Sequence, residues 1–326
     1  MSRTAISIGN FDGVHLGHQR LIRRARELCG PAGRVVALAF DPHPTTRLRP
    51  AHAPARLTSF EQRADLLRDA GADLVEPLEP TDTLLARSPE DFIRDILSRH
   101  APAYFVEGHD FRFGHQRRGS VRTLHELGAR HGFVCDVVEP VDVVLGDHQL
   151  ARASSTLARW LLTHGRVADV ARVLGRPYEI IGEVVPGDRR GRQIGVPTAN
   201  IRTEQALPAE GVYAGVATLP DARRLPAAVS VSSRPTFDGV GRRLEAHLLL
   251  DPADAAQAPA RWAPIPGLPE YAWPLRIALT SWIRDDLRFD SVGALCDQMA
   301  RDIALVRRLA HAPALPTLPL PLGSSA

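Results

Sequence analysis

Two histidines, His15 and His18, stand in the stretch GNFDGVHLGHQRL (Gly9–Leu21), among three glycines and one carboxylate. No Ser, Cys or Lys lies beside them. A nucleophilic site would need one of those groups, and a metal site would need further ligands close by. Two imidazoles at the mouth of a helix instead suit phosphate, because free N–H groups and the positive dipole end favour an anion there. Phosphoryl or nucleotidyl transfer is the chemistry such a site serves, since it depends on positioning and electrostatics. The plainer reading is a helix cap carrying two solvated histidines.

A second cluster lies far downstream. Gly187, Gly191 and Gly195 recur through GDRRGRQIG, and Pro197-Thr198-Ala199-Asn200 follows at once. Glycines let the backbone approach phosphates, while a Thr hydroxyl and an Asn carbonyl offer hard oxygen ligands to Mg²⁺. Arg189, Arg190 and Arg192 either assist a phosphate or form a solvated turn. Glu245 alternates with apolar neighbours in RRLEAHLLL, so it is either a strand residue facing water or a general base.

The charge pattern narrows the choice. All 40 basic residues are arginine. Without lysine there is neither a Walker-type phosphate loop nor Schiff-base chemistry, so Arg, His, backbone N–H groups and metal must handle any phosphate. The formal charge of +3 gives little support for nucleic-acid binding. Cys29, Cys135 and Cys296 are far apart and encode neither a disulfide framework nor a thiolate zinc site; they are expected to be buried hydrophobes. No apolar run reaches the roughly 18 residues of a membrane span, and the start MSRTAISIGNF has no signal-peptide core, so a cytoplasmic protein is expected.

The elements that must position these groups follow from hydrophobic periodicity. The 326 residues suffice for two domains. In the first half, apolar runs at Thr4–Ile8, Val35–Phe40, Leu74–Val75, Tyr104–Val106 and Val134–Val138 read as strands. Amphipathic segments at Gln19–Cys29, Phe60–Ala70, Pro89–His100 and Val121–His131 alternate with them. That alternation predicts a parallel α/β sheet with ligands at the carboxyl ends of its strands. A helical connector is expected at Ser154–Leu174. Thereafter Tyr178–Val185, Val212–Leu219, Leu225–Val231, Leu244–Leu250 and Leu275–Ile283 follow one another across Gly/Pro/Asp-rich turns, which predicts an antiparallel barrel. Ser291–Leu309 reads as a terminal helix, and His311–Ala326 as a Pro-rich, disordered tail.

With these segments in order, the chain resembles the nucleotidyltransferases that carry an H-x-G-H motif, in the form of the prokaryotic bifunctional riboflavin kinase/FAD synthetases. The resemblance rests on GNFDGVHLGH, FDPHP (Phe40–Pro44), GHDFRFG (Gly108–Gly114) and SSTLAR (Ser154–Arg159). In the second half it rests on LGRPY, GRQIGVPTANI, GVYAG, RPTFDG and LEAHLL, so that it spans roughly residues 4–310. It implies a Rossmann-like adenylyltransferase domain at 1–173 and a β-barrel kinase domain at 174–310. It further implies that riboflavin and ATP give FMN, and that FMN and ATP give FAD and pyrophosphate, with Mg²⁺ serving both steps.

The resemblance assigns the ATP phosphates of adenylyl transfer to Gly9, Asn10, Phe11, Asp12, His15 and His18, faced by Ser154, Ser155, Thr156 and Arg159. It places flavin against Asp41, Pro42, His43, Pro44, Asp110 and Phe111. In the kinase half, Gly187, Gly191, Gly195, Pro197, Thr198 and Asn200 take ATP, Thr198 and Asn200 hold the metal, and Glu245 is the general base on the ribityl hydroxyl. Small molecules are the expected partners, with neither nucleic acid nor membrane, and homo-oligomerisation stays open. Ser232, where the family pattern has glycine, and the long Asp251–Trp273 segment leave room for a monofunctional FAD synthetase whose barrel only binds flavin. A non-catalytic flavin sensor and an adenylyltransferase for another acceptor are the remaining alternatives.

Overall fold

The computed structural model describes residues 3–236, 239–250 and 265–310. The expected tail, most of the Asp251–Trp273 segment and part of RPTFDG lie outside the described residues. The chain divides into two compact units between Ala158 and Arg159.

In the first unit, β1 (Thr4–Gly9), α1 (Leu16–Cys29), β2 (Arg34–Phe40), α2 (Phe60–Asp69), β3 (Leu74–Leu78), α3 (Pro89–His100), β4 (Tyr104–Gly108), α4 (Val121–His131) and β5 (Val134–Val138) follow in sequence. The strands form a sheet of order β3-β2-β1-β4-β5, parallel throughout. Successive side chains of RVVALAF feed two cores. Val35, Ala37 and Ala39 meet Ile22, Ala25, Ala64 and Leu67 on one face. Val36 and Leu38 meet Ile93, Ile96, Leu124 and Leu127 on the other. Burial on both faces is why these strands read as continuous apolar runs. Helix starts are set by side-chain caps: Ser59 accepts from the Gln62 N–H, Ser88 from Asp91, and Ser120 with Thr123 forms a capping box.

The strand order reverses between β1 and β4, and there the sheet opens. Their register pairs Ala5 with Tyr104 and Ile6 with Phe105, whereas β1 and β2 stay paired out to Gly9 and Ala39. Beyond Ile6 the Ile8 N–H donates not to a ladder carbonyl but to Glu107 Oε1, at 2.7 Å. A buried side chain thus parts the two strands at the topological switch point, where α/β folds place their ligands.

The second unit carries α5 (Ser155–Thr163), most of which lies beyond the division, and α6 (Val167–Leu174). These are followed by β6 (Tyr178–Val185), β7 (Ala199–Arg202), β8 (Gly211–Thr218), β9 (Arg224–Thr236), β10 (Gly239–Leu248), β11 (Pro274–Arg284) and α7 (Val292–Ala310). The strands close a barrel in the order β6-β7-β10-β9-β8-β11. Every pairing is antiparallel. Strand β7, which contains the end of the PTAN segment, is absent from the sequence reading. Only Ile201 of its four residues is buried, so no alternation marks it. Val306 of α7 packs against Ala214 and Leu249. Cys29 and Cys135 are buried as expected, but Cys296 is only half-buried.

Burial pushes the Glu107 carboxyl well above the ordinary glutamate value of 4.5, against the pull of the Ile8 N–H. A carboxyl raised in the folded state contributes its full stability below that value and loses it as pH rises towards the folded-state pKa. Glu107→Gln is therefore expected to melt above the parent at pH 8, with the gap closing as pH falls towards 4.5. A melting difference that does not change with pH would mean that Glu107 is ionised in the native protein.

Candidate functional site

Between β1 and α1 the chain takes an unusual path. Phe11 (φ 49°) and Val14 (φ 42°) are both left-handed, as is Gly13 between them. Such a conformation costs a non-glycine residue about 1–3 kcal/mol and survives only when its surroundings dictate it. Here Asp12 dictates it. Its carboxylate accepts from the Leu57 and Thr58 N–H groups at 3.0 Å each and from the Thr58 hydroxyl at 3.0 Å. The Gly13 N–H donates back to Thr58 Oγ1 at 3.1 Å. Bonds to a charged acceptor contribute about 1.5–3 kcal/mol each, enough to offset both strained residues. Asp12 therefore spends its oxygens on the loop that leads into α2.

This clasp delivers His15 to the start of α1. His15 is the N-cap, and its Nδ1 accepts from the Gly17 N–H at 3.1 Å. That bond leaves Nδ1 unprotonated and, in the neutral ring, puts the proton on Nε2. The His15 and His18 rings stack with centroids 3.6 Å apart, and the Phe11 ring meets His18 edge-on at 5.2 Å. The glycine within H-x-G-H has a steric reason: a Cβ on Gly17 would lie 3.0 Å from His15 Cε1. Burial, then His15 and Arg63, hold His18 well below the usual histidine range, so His18 is uncharged at neutral pH. It can give an anion a hydrogen bond but not a charge.

The facing motif is brought to the same loop. Ser155 donates from Oγ to the Asp12 carbonyl at 2.7 Å, while Ser154 Oγ caps α5 through the Leu157 N–H. Thr156 is exposed, and Arg159 lies one turn further along α5, half-buried. The FDPHP turn leaves β2 beside this loop. Asp41 pairs with Arg63 at 2.6 Å and Arg56 at 3.3 Å, the Asp41–Pro42 peptide is cis, and His43 Nδ1 accepts from the Thr45 N–H. Pro44 precedes a short helical turn at Thr45–Leu48. Beyond β4, Asp110 is exposed and Phe111 stacks on Phe113 with centroids 5.3 Å apart. Sequence reasoning missed Arg63 and Glu107, because the pattern around them reads as an ordinary amphipathic helix and strand.

In the barrel unit, Asn200 stands directly opposite Glu245 in the β7–β10 ladder, so the two share a face. Thr198 donates from Oγ1 to Glu245 Oε2 at 3.2 Å. His247, two residues along the same strand, bonds through Nδ1 to the Pro197 carbonyl at 2.7 Å. Strand β10 thus grips the PTAN segment at successive points. A Cβ on Gly187 would come within 2.0 Å of Asn200 Nδ2, so that glycine lets the amide lie against the backbone.

Gly187, Pro197, Thr198 and Asn200 border a cavity of about 110 Å³ lined also by Arg192, Glu270, Tyr271 and Trp273, whereas Glu245 and His247 are not part of its lining. Arg192 bonds Glu270 at 2.6 Å and the Tyr271 hydroxyl at 3.1 Å, with Arg189 at 3.7 Å from Glu270. Of the arginines considered above, Arg192 is thus paired and largely covered, whereas Arg189 stays 58% exposed. The Trp273 Nε1 is buried without a hydrogen-bond partner. Neither Glu270 nor Trp273 was identified from the sequence. Ser232 is buried within β9, 8% exposed. Among the described residues no three or more His, Cys, Asp or Glu side chains cluster as a metal site, and no helix is long and apolar enough to cross a membrane.

Comparison with known proteins accounts for both halves. Residues 1–153 match the FAD synthetase family and residues 174–310 the riboflavin kinase family. The bifunctional riboflavin kinase/FMN adenylyltransferase of Escherichia coli K12 is 34% identical over 91% of this chain and 90% of its own length. The chain belongs to the bifunctional riboflavin kinase/FMN adenylyltransferase family. The Haemophilus influenzae member is 32% identical, covering 92% of each chain. A solved structure from Streptococcus pneumoniae, named a macrolide-efflux protein, is 26% identical, covers 94% of both chains and superposes with a TM-score of 0.79.

Gly17→Ala is expected to keep α1, since alanine is the better helix former, while driving the His15 ring off its cap. The measurement is the ring-current shift that His15 and His18 impose on each other's imidazole proton signals. Unaltered shifts would show that the helix start tolerates the methyl group.

Proposed function

We propose that this chain makes both flavin cofactors: the barrel unit phosphorylates riboflavin to FMN, and the α/β unit adenylylates FMN to FAD with release of pyrophosphate. The reading gives residues 1–173 to adenylyl transfer and 174–310 to the kinase. The observation that carries it is the presence, in two separately compact units, of two lysine-free constellations suited to phosphate. One is the stacked histidine pair at the opening of the parallel sheet, and the other is Thr198, Asn200 and Glu245 on adjoining barrel strands.

In adenylyl transfer, His15 and His18 give hydrogen bonds to the phosphates of ATP at the start of α1, where the helix dipole adds positive potential. Ser154, Ser155, Thr156 and Arg159 face them, and the turns around Asp41–Pro44 and Asp110–Phe111 hold the flavin. In the kinase step, Glu245 takes the proton of the ribityl 5′-hydroxyl as that oxygen attacks the γ-phosphate. Thr198 and Asn200 supply the hard oxygens that Mg²⁺ prefers, with the Glu245 carboxylate beside them, so the donor set fits that ion. Bound there, Mg²⁺ neutralises charge on the nucleotide phosphates. Gly187, Gly191, Gly195 and Pro197 shape the loop beside it. Small molecules are the partners in this reading, with no role for nucleic acid, and the site of action is the cytoplasm.

Incubation with riboflavin, ATP and Mg²⁺ followed by chromatographic separation of the flavins tests it. The parent is expected to yield FMN and FAD. Glu245→Gln should lower the kinase kcat by about 10²–10⁴ with smaller changes in riboflavin binding. Asn200→Ala should abolish Mg²⁺-dependent FMN formation, and both variants should still make FAD from supplied FMN. A Glu245→Gln enzyme within twofold of the parent kcat would reduce Glu245 to a strand residue. A parent that makes FAD only from supplied FMN would assign the barrel to flavin binding alone.

A further inference from the structure

Arg63 is a charged residue on α2 that no phosphate motif contains. Its side chain is only 4% exposed. One guanidinium nitrogen donates to the Asn10 carbonyl at 2.5 Å and the Phe40 carbonyl at 3.0 Å; another reaches Asp41 Oδ1 at 2.6 Å. Asn10 belongs to the histidine loop, whereas Phe40 and Asp41 begin the turn on the flavin side. The group also lies over the Phe60 ring, 5.6 Å from its centroid, and its Nε is buried without a partner.

Resting on the adenylyl-transfer reading of this unit, we propose that Arg63 is a positioning residue for that reaction. It joins the nucleotide loop to the flavin-side turn through one buried fork and sets a fixed positive charge beneath the histidine pair. Three acceptors on two segments are satisfied by a single planar group, which the point charge of a lysine could not reproduce. Transfer between two bound substrates depends on holding them in register, and displacements of about 1 Å can cost about 10²-fold.

The charge has its own consequence. The titratable or charged groups acting on His18 are His15, from its own loop, and Arg63, from α2; the third neighbour, Phe11, is uncharged. Asp41 and Arg56 act on Arg63 in turn. Removing the guanidinium must therefore make His18 easier to protonate.

The test uses the full chain, with FMN formation by the barrel as an internal control for folding. Arg63→Met is expected to lower kcat for FAD synthesis at least tenfold, more than it raises either KM, while FMN formation stays within twofold. In the same protein the His18 titration, followed by imidazole NMR and assigned with His18→Gln, should move up in pH relative to the parent. Arg63→Lys should leave the His18 titration near the parent's and recover only part of the kcat. Arg56 remains 3.3 Å from Asp41, so the Met variant keeps a partner for that carboxylate. A Met variant with parental kcat, or one whose lost FAD synthesis is accompanied by an unmoved His18 titration, overturns the proposal. A parent that makes no FAD would overturn the functional reading instead, and the His18 titration would still decide whether Arg63 sets the charge.

Discussion

The adenylyltransferase half depends on a carboxylate whose oxygens are held by the protein's own donors. Asp12 gathers the Leu57 and Thr58 N–H groups and the Thr58 hydroxyl, and so holds the left-handed residues Phe11 and Val14 in place. From that fixed bend follow the burial of the Phe11 ring, the seat of His15 at the helix start, and the stacking of His15 on His18. The Asp12 carbonyl also receives Ser155, so the facing motif is referred to the same bend. An aspartate inside a phosphate-binding motif is paradoxical if it is read as a ligand, because it would repel the phosphates. It is consistent as a clamp whose charge is already satisfied by backbone donors.

The barrel reaches the same end by other means. There the end of the PTAN segment is a strand, so Asn200 is fixed opposite Glu245 by register, while side-chain contacts hold what precedes it: Thr198 reaches the same carboxylate and His247 the Pro197 carbonyl. Strand geometry needs no strained residues, but it leaves little room. Gly187 is where that shows, since any side chain would collide with the Asn200 amide. One unit thus stores strain in a loop and the other excludes side chains from a ladder, and both present hard oxygen or imidazole groups in a chain without lysine.

The elements were legible where burial is periodic. RVVALAF reads as a doubly buried strand, and Pro89–His100 and Val121–His131 begin and end as their caps and spacing predict. Of the candidate site residues, the structure brings together the histidine pair, and Thr198 with Glu245, which their types and spacing and the family resemblance had singled out. What could not be read were partners set by tertiary approach. Asp12 meets Leu57 across 45 positions, Arg63 meets Asn10 across 53, and Arg192 meets Glu270 across 78. Arginine on an amphipathic helix is ordinarily solvated, so nothing local announces that Arg63 is buried. Strand β7 was missed for the opposite reason: four residues, one of them buried, are too few to carry a period.

The electrostatics of the histidine site turn on burial. Desolvation, with His15 and Arg63 beside it, keeps the His18 imidazole neutral in the free protein. Protonating it there would place a charge beside the guanidinium of Arg63 in a water-poor site, where like charges repel strongly. A neutral imidazole is still a directional hydrogen-bond donor. The permanent charge near the pair is that of Arg63, whose own counter-ion, Asp41, stands on the turn after β2 and not in the histidine loop.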